Sequence, residues 1–162
     1  MTEFEPRHKG MRLTAIIVLI ALVVGIGGGW LIGVLTGGSN DTPGSVYITT
    51  ADGGSLITDG DSTLLTLTAV GNTVAKVDTQ TRAAEPTDAA EFFEAWNDTF
   101  GDDARSAVVT ATGPDGDVQL VLELTNAEFS QIGYVVEFDA TVVSGADTAR
   151  DLSNVTLIID AD

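Results

Sequence analysis

Three acidic turns hold the residues most able to do chemistry: Asp59-Gly60-Asp61, Asp102-Asp103 and Asp115-Gly116-Asp117. Carboxylates so closely spaced on turns can gather around a hard cation such as calcium, which makes Asp59, Asp61, Asp115 and Asp117 weak metal candidates. None follows the EF-hand spacing, and Asp and Gly are also the residues that turns prefer without any metal. Other chemistry is scarce. The sole histidine is His8 and the chain has no cysteine, so beyond the first dozen residues there is no imidazole for a triad and no soft ligand for zinc, copper or haem. Lys76 is the only lysine after Lys9 and sits beside Val77 within an apolar run, which fits a solvated strand face better than a Ser–Lys dyad. Paired carboxylates alone do not make a glycosidase cleft, which also needs exposed aromatics. The expectation is a protein that is not an enzyme and holds no cofactor.

One further polar pair has a structural use. Asp78 and Arg82 lie four residues apart at a predicted strand end and can close on each other across a turn, as an ion pair that pins the strand near the helix that follows. Three Asn-x-Thr sequons, at Asn40, Asn97 and Asn154, are glycan acceptors only along a secretory route.

The elements that carry these residues divide the chain. The 23 residues from Leu13 to Leu35 carry no charge, enough helix to cross a hydrocarbon core of about 30 Å. Arg7, Lys9 and Arg12 precede the run, and the next basic residue is Lys76. The positive-inside rule therefore predicts a cytoplasmic tail over 1–12, an uncleaved signal anchor over 13–36 in the plasma membrane, a linker over 37–45 and an extracytoplasmic domain over 46–162. Ala21, Gly25, Gly29, Gly33 and Gly37 recur every fourth residue, a small-residue face against which another membrane helix can pack closely. A glycine-rich membrane segment without a partner is the competing reading.

The domain is acidic. The whole chain has 24 acidic and 7 basic residues and a net charge of −17, which argues against nucleic acid or anionic lipid as the main partner. The surface suits a salt-adapted exported protein or a basic extracytoplasmic partner.

Beyond the linker, short β-branched runs alternate with Gly and Asp turns. Strands are predicted over 46–51, 55–58, 62–70, 74–78, 106–112, 118–125, 134–143 and 155–160, with Asp52-Gly53-Gly54 as a turn. These are about eight antiparallel strands, the pattern of a mainly β sandwich. One helix interrupts them, with Thr87 as N-cap, Gly101 as stop, and Ala89, Phe92, Phe93, Trp96 and Phe100 on one face across the end or open face of the strands.

These motifs in order resemble a family of small exported or membrane-anchored prokaryotic envelope domains. The family runs from Gly-Gly-Thr-Leu through Phe-Ser-Asp-Arg-Pro-x-Arg, an aromatic helix ending in Trp, Phe-Gly-Asp-Asp-Pro-Pro-Asn-Ala and Leu-Glu-Leu-Ser-Asn-Pro to Ser-Leu-Phe-Ile-Asp. The similar places here are Gly53-Gly54-Ser55-Leu56, Asp78 with Arg82, Phe92-Phe93 with Trp96, Phe100-Gly101-Asp102-Asp103, Leu122-Glu123-Leu124-Thr125-Asn126 and Leu157-Ile158-Ile159-Asp160. Thr79-Gln80 and Arg105-Ser106 depart from it. The resemblance implies a fold and an exported location and carries no activity. Actinobacterial respiratory supercomplexes, with their small single-pass subunits, look similar in architecture. By that analogy the chain is an accessory subunit bound to membrane protein subunits through its transmembrane helix; the alternative is a free-standing envelope module holding a cation, glycan or surface protein.

Overall fold

A computed structural model describes residues 44–161 except Asp147. The tail, the anchor with its Ala21, Gly25, Gly29, Gly33 and Gly37 face, and all but the end of the linker lie outside the described residues. Among the described residues no helix is long and apolar enough to cross a membrane.

Eight antiparallel strands form one sheet: β1 (Ser45–Asp59), β2 (Ser62–Val70), β3 (Thr73–Asp78), β4 (Ala84–Asp88), β5 (Arg105–Gly113), β6 (Gly116–Ser130), β7 (Val135–Ser144) and β8 (Ala149–Asp160). Their order is β2-β7-β6-β5-β8-β1-β3-β4, and β2 also pairs with β1. That last pairing closes β1, β2, β7, β6, β5 and β8 into a ring, so the two layers of the expected sandwich are opposite walls of one closed sheet. Closure leaves these six strands no free edge, while the β3–β4 hairpin extends from the ring.

The length of β1 makes this possible. Its first part, Ser45–Ile48, pairs with β3, and its second part, from Ala51 to Asp59, pairs with β2. Both parts pair with β8 on the other side. The expected turn at Asp52-Gly53-Gly54 is therefore strand. The glycines are there for space: a Cβ on Gly53 would lie 2.8 Å from Thr68 Oγ1, and one on Gly54 2.9 Å from the Thr66 carbonyl. Two hairpins match their sequence signals. Gly60-Asp61 links Asp59 to Ser62, and Pro114-Asp115 links Gly113 to Gly116. Strand β8 starts at Ala149, earlier than its β-branched stretch suggests.

The expected single helix is two short ones, α1 (Ala89–Glu94) and α2 (Trp96–Phe100). Asp88 rather than Thr87 is the N-cap, its carboxylate accepting from the Ala90 and Glu91 amides at 2.9 and 3.3 Å. Thr87 belongs to β4. The helix breaks at Ala95 (φ −87°, ψ 0°), and Gly101 follows α2 at φ +60°.

The helices contact β3, β4 and β6 and send their aromatic side inward. Ala89, Phe93, Trp96 and Phe100 join Leu56, Leu65, Leu67, Leu120, Leu122, Leu124, Phe138, Leu157 and Ile159 in one buried core. They close the end of the ring at which the chain enters. Ser45 and Asp160 also lie at that end, where the Ala161 amide donates to the Ser45 carbonyl at 3.1 Å. The Gly60 and Pro114 hairpins lie at the opposite, distal end, because β5 runs parallel in direction to β1 across β8.

Candidate interaction surfaces

The topology brings both Asp-Gly-Asp hairpins to the distal end. Asp59, Asp61, Asp115 and Asp117 are all exposed there. Among the described residues no three Asp, Glu, His or Cys side chains gather to hold a metal ion. Asp115 and Asp117 instead border a hollow of about 410 Å³ floored by Val118, Ala149 and Leu152, with Arg150 on its wall. Arg150 also borders a second hollow of about 480 Å³, beside Gly53, Gly54 and Thr68. Sequence reasoning did not single out Arg150. It becomes visible only when β8 is known to begin at Ala149 and to lie between β1 and β5.

Asp78 and Arg82 occupy the β3–β4 turn at the linker end. The Asp78 carboxylate accepts from the Thr81 amide at 2.7 Å and the Gln80 amide at 2.9 Å. Arg82 meets Asp78 through the main chain, its amide donating to the Asp78 carbonyl at 2.9 Å. The turn is tied to the linker by Thr79, whose amide and hydroxyl both donate to the Gly44 carbonyl, at 3.0 and 2.8 Å. The Thr81 amide, then its hydroxyl and the Gln80 amide, hold the Asp78 carboxyl below the ordinary carboxylate range. Those bonds favour the charged form.

Two predictions arise at this turn. A depressed folded-state pKa gives stability that is present above the unfolded-state value near 4 and is lost as pH falls through the folded value. Urea titrations should therefore find wild type more stable than Asp78→Asn near neutral pH, with the gap closing below about pH 4. Arg82 has φ +59°, a conformation that costs an L-residue about 1–2 kcal/mol, whereas glycine there loses about 0.5–1 kcal/mol in chain entropy. Arg82→Gly should accordingly raise the urea midpoint slightly, and Arg82→Ala should leave it close to wild type.

Two other cations rest on aromatic faces at the linker end. Lys76 Nζ lies 5.8 Å from the centre of the Tyr47 ring, and the Arg105 guanidinium lies 4.7 Å from that of Phe100. The Tyr47 and Phe100 ring centres are 6.1 Å apart. Arg105 Nε is buried without a hydrogen-bond partner, so the ring face is its main compensation. Asn97 lies on α2 and donates from Nδ2 to the Ala127 carbonyl at 3.4 Å.

The outer face of the ring carries a feature of a different kind. A strand with one face on the core and one in water alternates apolar and polar residues. In β1, β3, β5 and β8 that alternation fails beside the linker. Tyr47, Val74, Ala107, Val109, Leu157 and Ile159 point into the main core, while Val46, Ile48, Ala75, Val77, Val108 and Ile158 form a second buried cluster on the other side, with Val121 packed against it. The pairings Val46–Val77, Ile48–Ala75, Ile48–Ile158, Val108–Ile158 and Val108–Val121 make this a continuous strip across five strands. The side chains of α1 and α2 enter the main core instead, so neither described helix lies over the strip.

No protein-family model matches the chain, and comparison with curated proteins and with solved structures finds no match either.

Proposed function

We propose that this chain is a non-catalytic, single-pass accessory subunit of a larger membrane protein complex. Residues 1–12 are cytoplasmic, 13–36 anchor the chain in the plasma membrane, and the acidic domain works on the extracytoplasmic face. The observation that carries the reading is the uncharged Leu13–Leu35 run behind Arg7, Lys9 and Arg12, whose small-residue face lets another membrane helix pack closely. Strand β1 starts at Ser45, ten residues beyond Leu35, so a partner held by that face lies close to the acidic domain. An exported envelope domain related to the family described above fits this arrangement, and a respiratory supercomplex is the assembly its architecture suits. The test is affinity purification of the tagged full chain from mild detergent. Recovery with stoichiometric membrane subunits supports the reading; a chain that migrates alone ends it.

The distal hollows favour a second reading, a free-standing envelope module whose loops hold a cation or a glycan. Asp115, Asp117 and Arg150 line one hollow together, a mixed-charge rim over an apolar floor. Titration with millimolar calcium tests the metal version. A rise in Tm supports it, and an unchanged Tm removes it.

A further inference from the structure

We infer that the turn between β6 and β7, residues 131–134, is a lipid contact: Ile132 enters the interfacial layer of the bilayer that carries the anchor, and Tyr134 stands beside it at headgroup level. The inference rests on the membrane-anchored reading and adds a second point of attachment, one that sets which end of the domain faces the lipid.

Ile132 is 89% exposed, more than any other large hydrophobic residue described. A single apolar residue in water is ordinary on a protein surface, so its setting carries the argument. Strand β6 leaves the distal hairpin at Gly116 and runs toward the linker end. There Phe129 stacks on Phe93 of α1 at 5.9 Å, and Gln131 Nε2 donates to Glu94 Oε1 at 3.0 Å. Ile132 therefore stands at the end of the ring at which the chain enters. The turn is pinned in place: the Ala69 amide donates to the Gly133 carbonyl at 3.3 Å and the Val70 amide to the Tyr134 carbonyl at 2.9 Å, while the Tyr134 ring meets Phe129 edge to face at 5.8 Å. Between Glu128 and Glu137 the chain carries no charge, so this tip of an acidic domain is neutral. Lipid fits it better than protein does. One isoleucine and one tyrosine fall far short of the roughly 800 Å² per partner of a specific protein interface, whereas the bilayer interface accepts small apolar insertions and favours tyrosine beside the headgroups. The ten residues from Leu35 to Ser45 span at most about 35 Å, which keeps this end of the domain within reach of the surface.

The test uses the full chain reconstituted in phosphatidylcholine vesicles. The chain has no cysteine, so Gln131→Cys and, separately, Asp61→Cys on the distal hairpin each place a single nitrobenzoxadiazole dye, with Ile132 itself retained. The expected result is blue-shifted emission at position 131, quenched by lipid whose nitroxide lies in the outer layer about 5–10 Å deep, and water-like, unquenched emission at position 61. Adding Ile132→Glu should abolish both the shift and the quenching at 131 and leave the Tm of the domain unchanged, because the side chain is exposed. Equal emission at 131 and 61, or a shift that survives Ile132→Glu, would overturn the proposal. A shift seen in native membranes and absent from pure lipid would assign the turn to a protein partner and overturn it too. Failure of the broader reading looks different: alkaline carbonate then washes the labelled chain from the vesicles, whichever position carries the dye. Failure of this proposal alone leaves the chain retained in the vesicles with the dye at 131 in water.

Discussion

Replacing Trp96 by alanine should destabilise the domain by about 3–5 kcal/mol, the usual cost of removing a large buried aromatic. Its indole is fully buried and has the Phe100 ring centre at 4.7 Å, Phe138 at 5.2 Å and Phe92 at 5.9 Å, all edge to face. Trp96 thus joins α1 and α2 to β7 at the closed end of the ring, and the cavity left by alanine cannot be filled by one neighbour moving. The indole N–H, however, has no hydrogen-bond partner, and a buried donor without one carries a desolvation cost of about 1–3 kcal/mol. Trp96→Phe keeps most of the ring contacts and removes that donor, so its loss should be well under half that of alanine. Urea unfolding followed by circular dichroism measures both; equal losses would show that the pocket depends on the second ring rather than on aromatic filling in general.

Gly54→Val should cost about 3 kcal/mol, the upper end for overpacking a tight site. The obstacle is space. A Cβ at Gly54 would meet the Thr66 carbonyl at 2.9 Å and Leu67 Cδ2 at 3.0 Å, and the first of these is backbone that cannot rotate away. This is the seam where β1 pairs with β2 and completes the ring, so the damage falls on closure itself. Hydrogen exchange should show it as lost protection at the Leu65 and Leu67 amides before any loss in β5 or β8. Gly60→Ala is the matched contrast. Nothing lies within 4 Å of its Cβ, but φ is +61°, and only the left-handed backbone cost of about 1–2 kcal/mol applies.

The same glycines explain where sequence reasoning succeeds and where it stops. At Asp59-Gly60-Asp61 the glycine is a turn residue between two alternating strands, and the hairpin is legible. At Gly53-Gly54 it is a spacer for a strand that arrives from elsewhere, a condition that no local pattern records. Strand β4 is invisible for another reason. Ala84-Glu85-Pro86-Thr87-Asp88 has no β pattern, and it is a strand only because β3 offers it an edge, where proline is tolerated. The aromatic helix is legible from its spacing, but its start is not, since Thr87 and Asp88 are both good caps and pairing with β3 claims the first. At Asp78 the nearby arginine is conspicuous in sequence, yet backbone amides two and three residues away take the carboxylate. The outer strip was open to discovery: Ala107-Val108-Val109 and Leu157-Ile158-Ile159 are unbroken apolar runs, the mark of strands covered on both faces. The distal hollow was not, because it requires the start of β8 and the β5–β6 hairpin to be neighbours.

The position of the start of β1 beside the end of β8 sets how the domain bears load. Strands β1 and β8 are antiparallel neighbours that begin and finish side by side, joined there by the bond from Ala161 to Ser45. A force that separates the two ends would peel their ladder open one bond at a time. A force between the linker and a loop at the far end would instead run along the strands and strain many bonds at once. The domain is therefore mechanically weak when pulled by its two ends and strong as a tether from the linker to whatever grips its distal loops.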